Sequence, residues 1–350
     1  MDVLGVDAYL NTRVSIFAKR LFSYEQIELL PKLEPSEIAS RYGLGAFQEE
    51  HSRGLPATVW LKAAETALQK SLFDDLAILI RPMDDSAKKF IIQWTRKFEL
   101  FNLKALIRGK LAGLSEEAIQ NSLFDLPDYL SLPYQTLLSS ESVLEMLRQL
   151  EKIGREDIAG QARSIYEKHG EPFLLETAID QSYFTAMVEL LKEIPFNDRV
   201  GVKQVLGLQM DRVNLVLMLR YRFAYQMPAS EIYYHLASSP RHLTKERMLD
   251  LLNQTTLEEM LGRLPKPLSK QLEGSQDVAE VERRMYAITI RELFQVLKDN
   301  SSGVARSLAY LVLRELDLKR LFTVLQGQIL KLDIAMINLA LGIQASNVAI

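Results

Sequence analysis

Apolar residues along this chain recur at the spacing of a helix rather than of a strand. Val205, Leu208, Val213, Leu215 and Leu219 form one such series, and Leu308, Leu311, Leu316, Leu318 and Leu325 form another. Residues three and four apart share a helical face, so each series predicts a long amphipathic helix. No stretch sustains the apolar–polar alternation of a half-buried strand, which predicts an all-α fold. Breakers divide the pattern at three matched places, Pro82, Pro195 and the run Asn300-Ser301-Ser302-Gly303. Proline lacks the helical N–H donor and clashes with the preceding turn, so each breaker predicts two helices joined by a short turn.

The pattern also repeats. The run 65–73, opening on Glu65-Thr66-Ala67, is matched 111 residues later by 176–184, opening on Glu176-Thr177-Ala178. Glu99, Asn102 and Arg108 are matched 112 residues later by Asp211, Asn214 and Arg220. A third copy follows 106 residues on, with Glu282 after Glu176 and Asp317 after Asp211. Arg320 stands there in place of the asparagine. A box of the form Glu-[Leu/Met]-Leu-x-x-Leu, at 28–33, 145–150 and 259–264, alternates with these anchors. The chain therefore divides into three helical repeats, 1–112, 113–226 and 227–350, in one compact unit. Units of this size exceed the roughly 20–50 residues of solenoid repeats. Three large copies are expected instead to close about a pseudo-threefold axis, as a ring or funnel.

On the second helix of each pair the motif falls on one face. That face holds Glu99, Asn102, Leu103, Leu106 and Lys110 in the first copy. It holds Asp211, Asn214, Leu215, Met218 and Arg222 in the second, and Asp317, Arg320, Leu321, Val324 and Gln328 in the third. It is apolar in the middle and polar at both ends. Two roles fit it: a core stripe whose polar residues brace a neighbouring segment, or the lining of a shared central cavity.

Composition narrows the function. The 350 residues carry a net charge of −3 and no run of five like charges, so no basic block is offered to nucleic acid. The absence of cysteine excludes disulfides, thiolate metal sites and thiol nucleophiles. The start, Met1-Asp2-Val3-Leu4, lacks the basic and apolar blocks of a signal peptide. The uncharged tail after Ile334 is short for a bilayer span and is expected to form a packed terminal helix that frays.

No catalytic constellation emerges, and no cofactor or metal is expected. His51, His169, His235 and His242 form no His-Glu-x-x-His pattern. Gly43-Leu44-Gly45-Ala46-Phe47-Gln48 lacks the last glycine of a dinucleotide loop, and Gly109-Lys110-Leu111 lacks the hydroxyl of a P-loop. Asp84 and Asp85 follow Pro82 and suit the positive start of the next helix. Asp74 and Asp75 are expected on a solvated face, and Trp60 and Trp94 in the core.

Three stretches carry a family likeness: Tyr9-Leu10-Asn11-Thr12-Arg13-Val14, the run 98–110 from Phe98 to Lys110, and the run 314–321 from Arg314 to Leu321. They resemble the C subunit of prokaryotic V/A-type ATPases, the counterpart of the d subunit in the eukaryotic vacuolar proton pump. The likeness spans the whole chain, with Arg320 as the departure in the third copy. It implies an all-helical, pseudo-threefold funnel on the cytoplasmic face of the membrane, held there peripherally. It implies as partners the D and F shaft subunits and the proteolipid (c/K) ring. It also implies a non-catalytic rotor role, passing torque for proton or sodium transport. A generic helical scaffold that binds helical peptides is the other class compatible with the residues.

Overall fold

A computed structural model describes residues 3–45 and 56–343. Every regular element among them is helical. The first helices are α1 (Val3–Ala18), α2 (Tyr24–Leu29), α3 (Pro35–Tyr42), α4 (Ala57–Ile80) and α5 (Asp85–Leu111). Next come α6 (Glu116–Ser122), α7 (Tyr134–Leu138), α8 (Val143–Lys152), α9 (Glu156–His169), α10 (Pro172–Leu191) and α11 (Phe196–Leu219). The remainder are α12 (Ala229–Tyr234), α13 (Lys245–Leu252), α14 (Leu257–Gly262), α15 (Lys266–Leu272), α16 (Val278–Asp299), α17 (Gly303–Ile329) and α18 (Ile334–Ala340).

The breakers fall where the pattern puts them. Pro82 lies between α4 and α5, Pro195 between α10 and α11, and Asn300–Gly303 spans the junction of α16 and α17. Two of the second helices start on a side-chain cap. The Asp84 carboxylate accepts from Ala87 N, and the Ser302 hydroxyl accepts from Ala305 N. Both satisfy a donor that a helix start leaves orphaned.

The chain forms two compact units, Asp84–Glu292 and a second made of Met1–Met83 with Leu293–Ile350. In the first, α10 packs between α9 and α5. Its core includes Phe90, Ile91, Trp94, Leu103 and Leu106 from α5. Leu215, Met218 and Leu219 extend it from α11, with Met248, Leu251 and Met260 set against them. Full burial of each such side chain contributes about 1.5–3 kcal/mol. Trp94 is buried as expected, whereas Trp60 is only half-buried. In the second unit α17 is the central helix, buried between α1 and α4. Tyr310, Leu308 and Leu311 lie wholly inside it.

One expectation fails here. Asp75 is not on a solvated face but 2% exposed. It pairs with Arg20, accepts from Tyr310 Oη at 2.6 Å, and faces Arg314. Those partners come from segments far away in sequence, so the local pattern of α4 could not announce them. His51 and the end of the glycine run, Ala46 to Gln48, lie outside the described residues. So does the tail beyond Ile343, of which α18 is the described part. No helix among the described residues is long and apolar enough to cross a membrane.

Candidate functional site

The repeated motif lies on α5, on α11 with the π turn Arg220–Ala224 that follows it, and on α17, and its acids are buried in all three. Glu99 pairs with Arg155. The Asp211 carboxylate accepts from Leu243 N at 2.9 Å and His242 N at 3.3 Å. Asp317 accepts from Phe22 N at 2.8 Å and from Arg320 Nη1 at 3.0 Å. The second and third acids do the same local work. Leu243 immediately precedes Thr244, the N-cap of α13, and Phe22 immediately precedes Ser23, the N-cap of α2. Each carboxylate thus fixes a closing segment at the start of a short helix. In the first copy an arginine takes that place.

The asparagines also bind main chain. Asn102 donates to Phe124 O and Tyr134 Oη, both at 2.9 Å, and accepts from Phe124 N at 2.7 Å. Asn214 donates to Ala237 O at 2.7 Å. Further along the same face, Lys110 donates to Leu138 O at 2.6 Å and Ser140 O at 2.5 Å. Gln328 donates to Leu33 O at 2.6 Å and Pro31 O at 3.4 Å. The box at 28–33 is therefore bonded to the third motif helix, through the segment that α2 and α3 bracket.

The arginines reach across to the next copy. Arg108 grips Glu176 through two bonds, Nε at 2.6 Å and Nη2 at 2.5 Å. Arg220 Nη2 donates to Glu282 at 2.6 Å. Both acceptors are the leading glutamates of the following copies. The sequence marks donor and acceptor separately as anchors, but their pairing is tertiary and leaves no local trace. Lys104 with Asp180 at 2.7 Å adds a second link between α5 and α10.

Glycine appears where helices touch most closely. A Cβ on Gly109 would stand 2.5 Å from Ile119 of α6, and one on Gly327 would stand 2.7 Å from Ile337 of α18. Both glycines lie ten residues after their acid, and both isoleucines ten residues after their glycine. Gly109→Ala is expected to cost about 1–3 kcal/mol through overpacking. Urea unfolding checks this, and an unchanged midpoint would show that α6 moves aside freely.

Burial holds the carboxyls of Glu99, Asp211 and Asp317 above their ordinary range. Arg155, the Ser239 hydroxyl with Leu243 N–H, and Phe22 N–H with Arg320 oppose that rise in turn. A raised carboxyl stabilises the fold in acid, and the contribution is lost as pH rises through its folded value. Asp211→Asn is therefore expected to flatten the decline in stability above pH 3.8. Denaturant midpoints across the acid-to-neutral range test this, and an unaltered slope would refute it. His235 and His242 act in the opposite sense, because burial depresses both below 6.5. Their contribution is present above that value and lost as pH falls through the depressed one.

Asp211 also borders a cavity of about 140 Å³ with Arg241, His242, Gln271 and Glu292. Arg241 and Glu292 pair across it at 2.5 Å. Among the described residues no three His, Asp or Glu side chains are placed to hold a metal ion. The motif can fix main chain and join helices, and the contacts it makes contain no nucleophile–base pair.

A family model described as "ATP synthase (C/AC39) subunit" matches residues 10–339. The A-type ATP synthase C subunit of Methanocaldococcus jannaschii is 24% identical over 341 residues, covering 92% of this chain and 82% of the relative. That of Methanobrevibacter smithii is 21% identical, over 91% of this chain and 84% of its own length. That of Methanothermobacter thermautotrophicus is 22% identical, over 86% and 75%.

Proposed function

This chain belongs to the ATP synthase (C/AC39) subunit family, and from that premise we propose that it is the non-catalytic central-stalk subunit of a V/A-type rotary ATPase. In this role it links the D/F shaft to the proteolipid ring on the cytoplasmic face. It passes torque between ATP turnover in the head and proton or sodium movement in the membrane. The observation that carries the proposal is the family match across nearly the whole chain. The three repeats, 1–112, 113–226 and 227–350, would close as a funnel whose mouth receives the shaft.

The geometry supports a mechanical part. A coupling must transmit force without shearing. Long helices cross-linked by Arg108–Glu176, Lys104–Asp180 and Arg220–Glu282 resist sliding along their axes. The motif residues Glu99, Asn102, Asp211, Asn214, Asp317 and Arg320 each make a hydrogen bond to the fold itself. We assign them to bracing rather than to chemistry.

The test is to tag the full chain and purify it from gentle detergent extracts. Shaft subunits and proteolipid are expected to accompany it. Recombinant chain that binds neither competent D/F shaft nor solubilised ring would overturn the assignment. Association is also expected to weaken as salt rises, because charged interfaces are screened. A pull-down series in increasing salt checks that.

A further inference from the structure

The first and third motif helices end alike. From Glu99 to the left-handed Gly113, and from Asp317 to the left-handed Lys331, the chain takes 14 residues. From Asp211 to the left-handed Gln226 it takes 15, the extra residue being housed in the π turn Arg220–Ala224. The first and third ends therefore align without a gap. Leu114 N bonds to Gly109 O in one, and Leu332 N to Gly327 O in the other. A helix of seven residues follows in each, α6 in the first and α18 in the third. Both are anchored through the same two buried positions, Ile119 and Leu123 in one and Ile337 and Leu341 in the other. Each isoleucine lies against the glycine ten residues before it.

The outward faces of the two helices differ. In α6 the exposed positions include Glu116, Glu117, Gln120 and Asn121, the polar face of a helix half in water. Counted from the glycine, Glu116 becomes Ile334, Glu117 becomes Ala335 and Asn121 becomes Leu339. Met336 stands where α6 has Ala118. These replacements do not turn inward. Leu339 is 72% exposed, Met336 56% and Ile334 50%. No residue of α18 is charged, and only Asn338 is polar. A helix apolar all round is ordinarily a buried one. The fold itself does not require that apolar face, because α6 occupies the equivalent place with acids and amides there. Leu330 and Leu332, also exposed, adjoin the face in the chain.

We propose that the outward face of α18 is a docking ridge for an apolar helix of a partner subunit. A charged group brought against Ile334, Met336 and Leu339 would lose its water and gain no counter-charge, so the matching surface is uncharged. The larger Met336 and Leu339 stand beside the small Ala335 and Ala340, at spacings that share one side of the helix. Such a ridge with shallow flanks is what another helix packs into, and its length of about 10 Å suits two turns. A lipid surface fits less well. Helices that lie in a bilayer interface pair the apolar face with a basic one and carry aromatic residues, and α18 has neither. A second copy of this chain fits less well too. The five exposed side chains fall short of the roughly 800 Å² per partner that a stable pair buries. The partner is therefore one held by further contacts elsewhere, as subunits of one assembly are. That the assembly is a rotary ATPase rests on the function proposed above.

The chain has no cysteine, so Leu339→Cys supplies a single thiol for the test. The full-length variant is treated with fluorescent maleimide, alone and in the complex co-purified with it from gentle detergent extracts. The thiol is expected to react rapidly alone and to be protected in the complex. Full reactivity in an intact complex overturns the proposal while leaving the rotary assignment standing. Slow reaction of the isolated chain overturns it in favour of cover by the residues after Ile343 or, if dilution restores the rate, by a second copy. Protection of the isolated chain by phosphatidylglycerol vesicles overturns it in favour of a lipid site. In the complex, p-benzoylphenylalanine incorporated at position 336 is expected to cross-link to an apolar helical segment of another subunit, located by mass spectrometry. A cross-link only to a charged loop overturns the proposal. The double variant Ile334→Glu, Leu339→Asn gives α18 the residues of α6 at those places. It is expected to keep the parent's urea midpoint and to be held in the complex about tenfold more weakly. A lowered midpoint or undiminished retention overturns the proposal. A chain that co-purifies with no other subunit overturns both this site and the rotary assignment, whereas a different complex that covers Leu339 overturns the assignment alone.

Discussion

Asp75→Ala is expected to destabilise the unit built on α17 by about 3–5 kcal/mol. The carboxylate is buried and takes up Arg20, the Tyr310 hydroxyl and the approach of Arg314. Removing it leaves the Tyr310 hydroxyl without its acceptor in a dry core. It also leaves the guanidinium of Arg314, only 12% exposed, without its counter-charge. Breaking a buried pair from one side costs more than the pair contributes, because the survivor stays buried and uncompensated. Arg20→Ala should cost far less. Arg20 is half-exposed, and Tyr310 and Arg314 still hold the carboxylate when it is gone. Equilibrium urea unfolding of both variants separates the cases. Similar losses in the two would mean that the Arg20 contact alone carries the cluster.

Asn102→Leu is expected to cost about 2–4 kcal/mol, and Asn214→Leu about 1–2 kcal/mol. The two differ because of the bonds each amide makes. Asn102 satisfies both the N–H and the C=O of Phe124 and also meets Tyr134 Oη. Asn214 satisfies the single carbonyl of Ala237. Leucine fills each space but leaves those main-chain groups buried without partners. Thermal and urea melts would show the ordering. Equal losses would place the cost in packing rather than in hydrogen bonding.

The helical pattern and its breaks are legible because they depend on local physics. Pro82, Pro195 and Asn300–Gly303 interrupt helices whatever surrounds them. The motif anchors are legible because recurrence can be counted. Their partners are not. Nothing near Arg108 points to Glu176, and nothing near Asp317 points to Phe22, since each pairing is made by packing across long separations. The burial of Asp75 is hidden for the same reason: acids in a helix usually face water, and only distant arginines make burial tolerable. The extra residue in the second copy is open to counting in principle. The residues in the left-handed position are Gly113, Gln226 and Lys331, however, and only the glycine signals that conformation. Without the structure the three helix ends do not align.

The bond from Phe22 to Asp317 joins residues 295 apart, and the Gln328 bonds to Pro31 and Leu33 span 297 and 295. During synthesis the segment around α2 and α3 is made long before its binding surface on α17, Phe22 and Asp317 lying 295 residues apart. Residues 113 to 170 meet α5 as soon as they emerge, so that part of the chain can mature while translation continues. The segment at 22–42 must wait, with Ile38 and Leu30 lacking the cover they have in the finished protein. Closing so long a loop is slow, and transiently uncovered apolar surface invites aggregation. The slowest step in maturation is therefore expected to be the return of the segment at 22–42 to α17, and chaperone dependence should concentrate there.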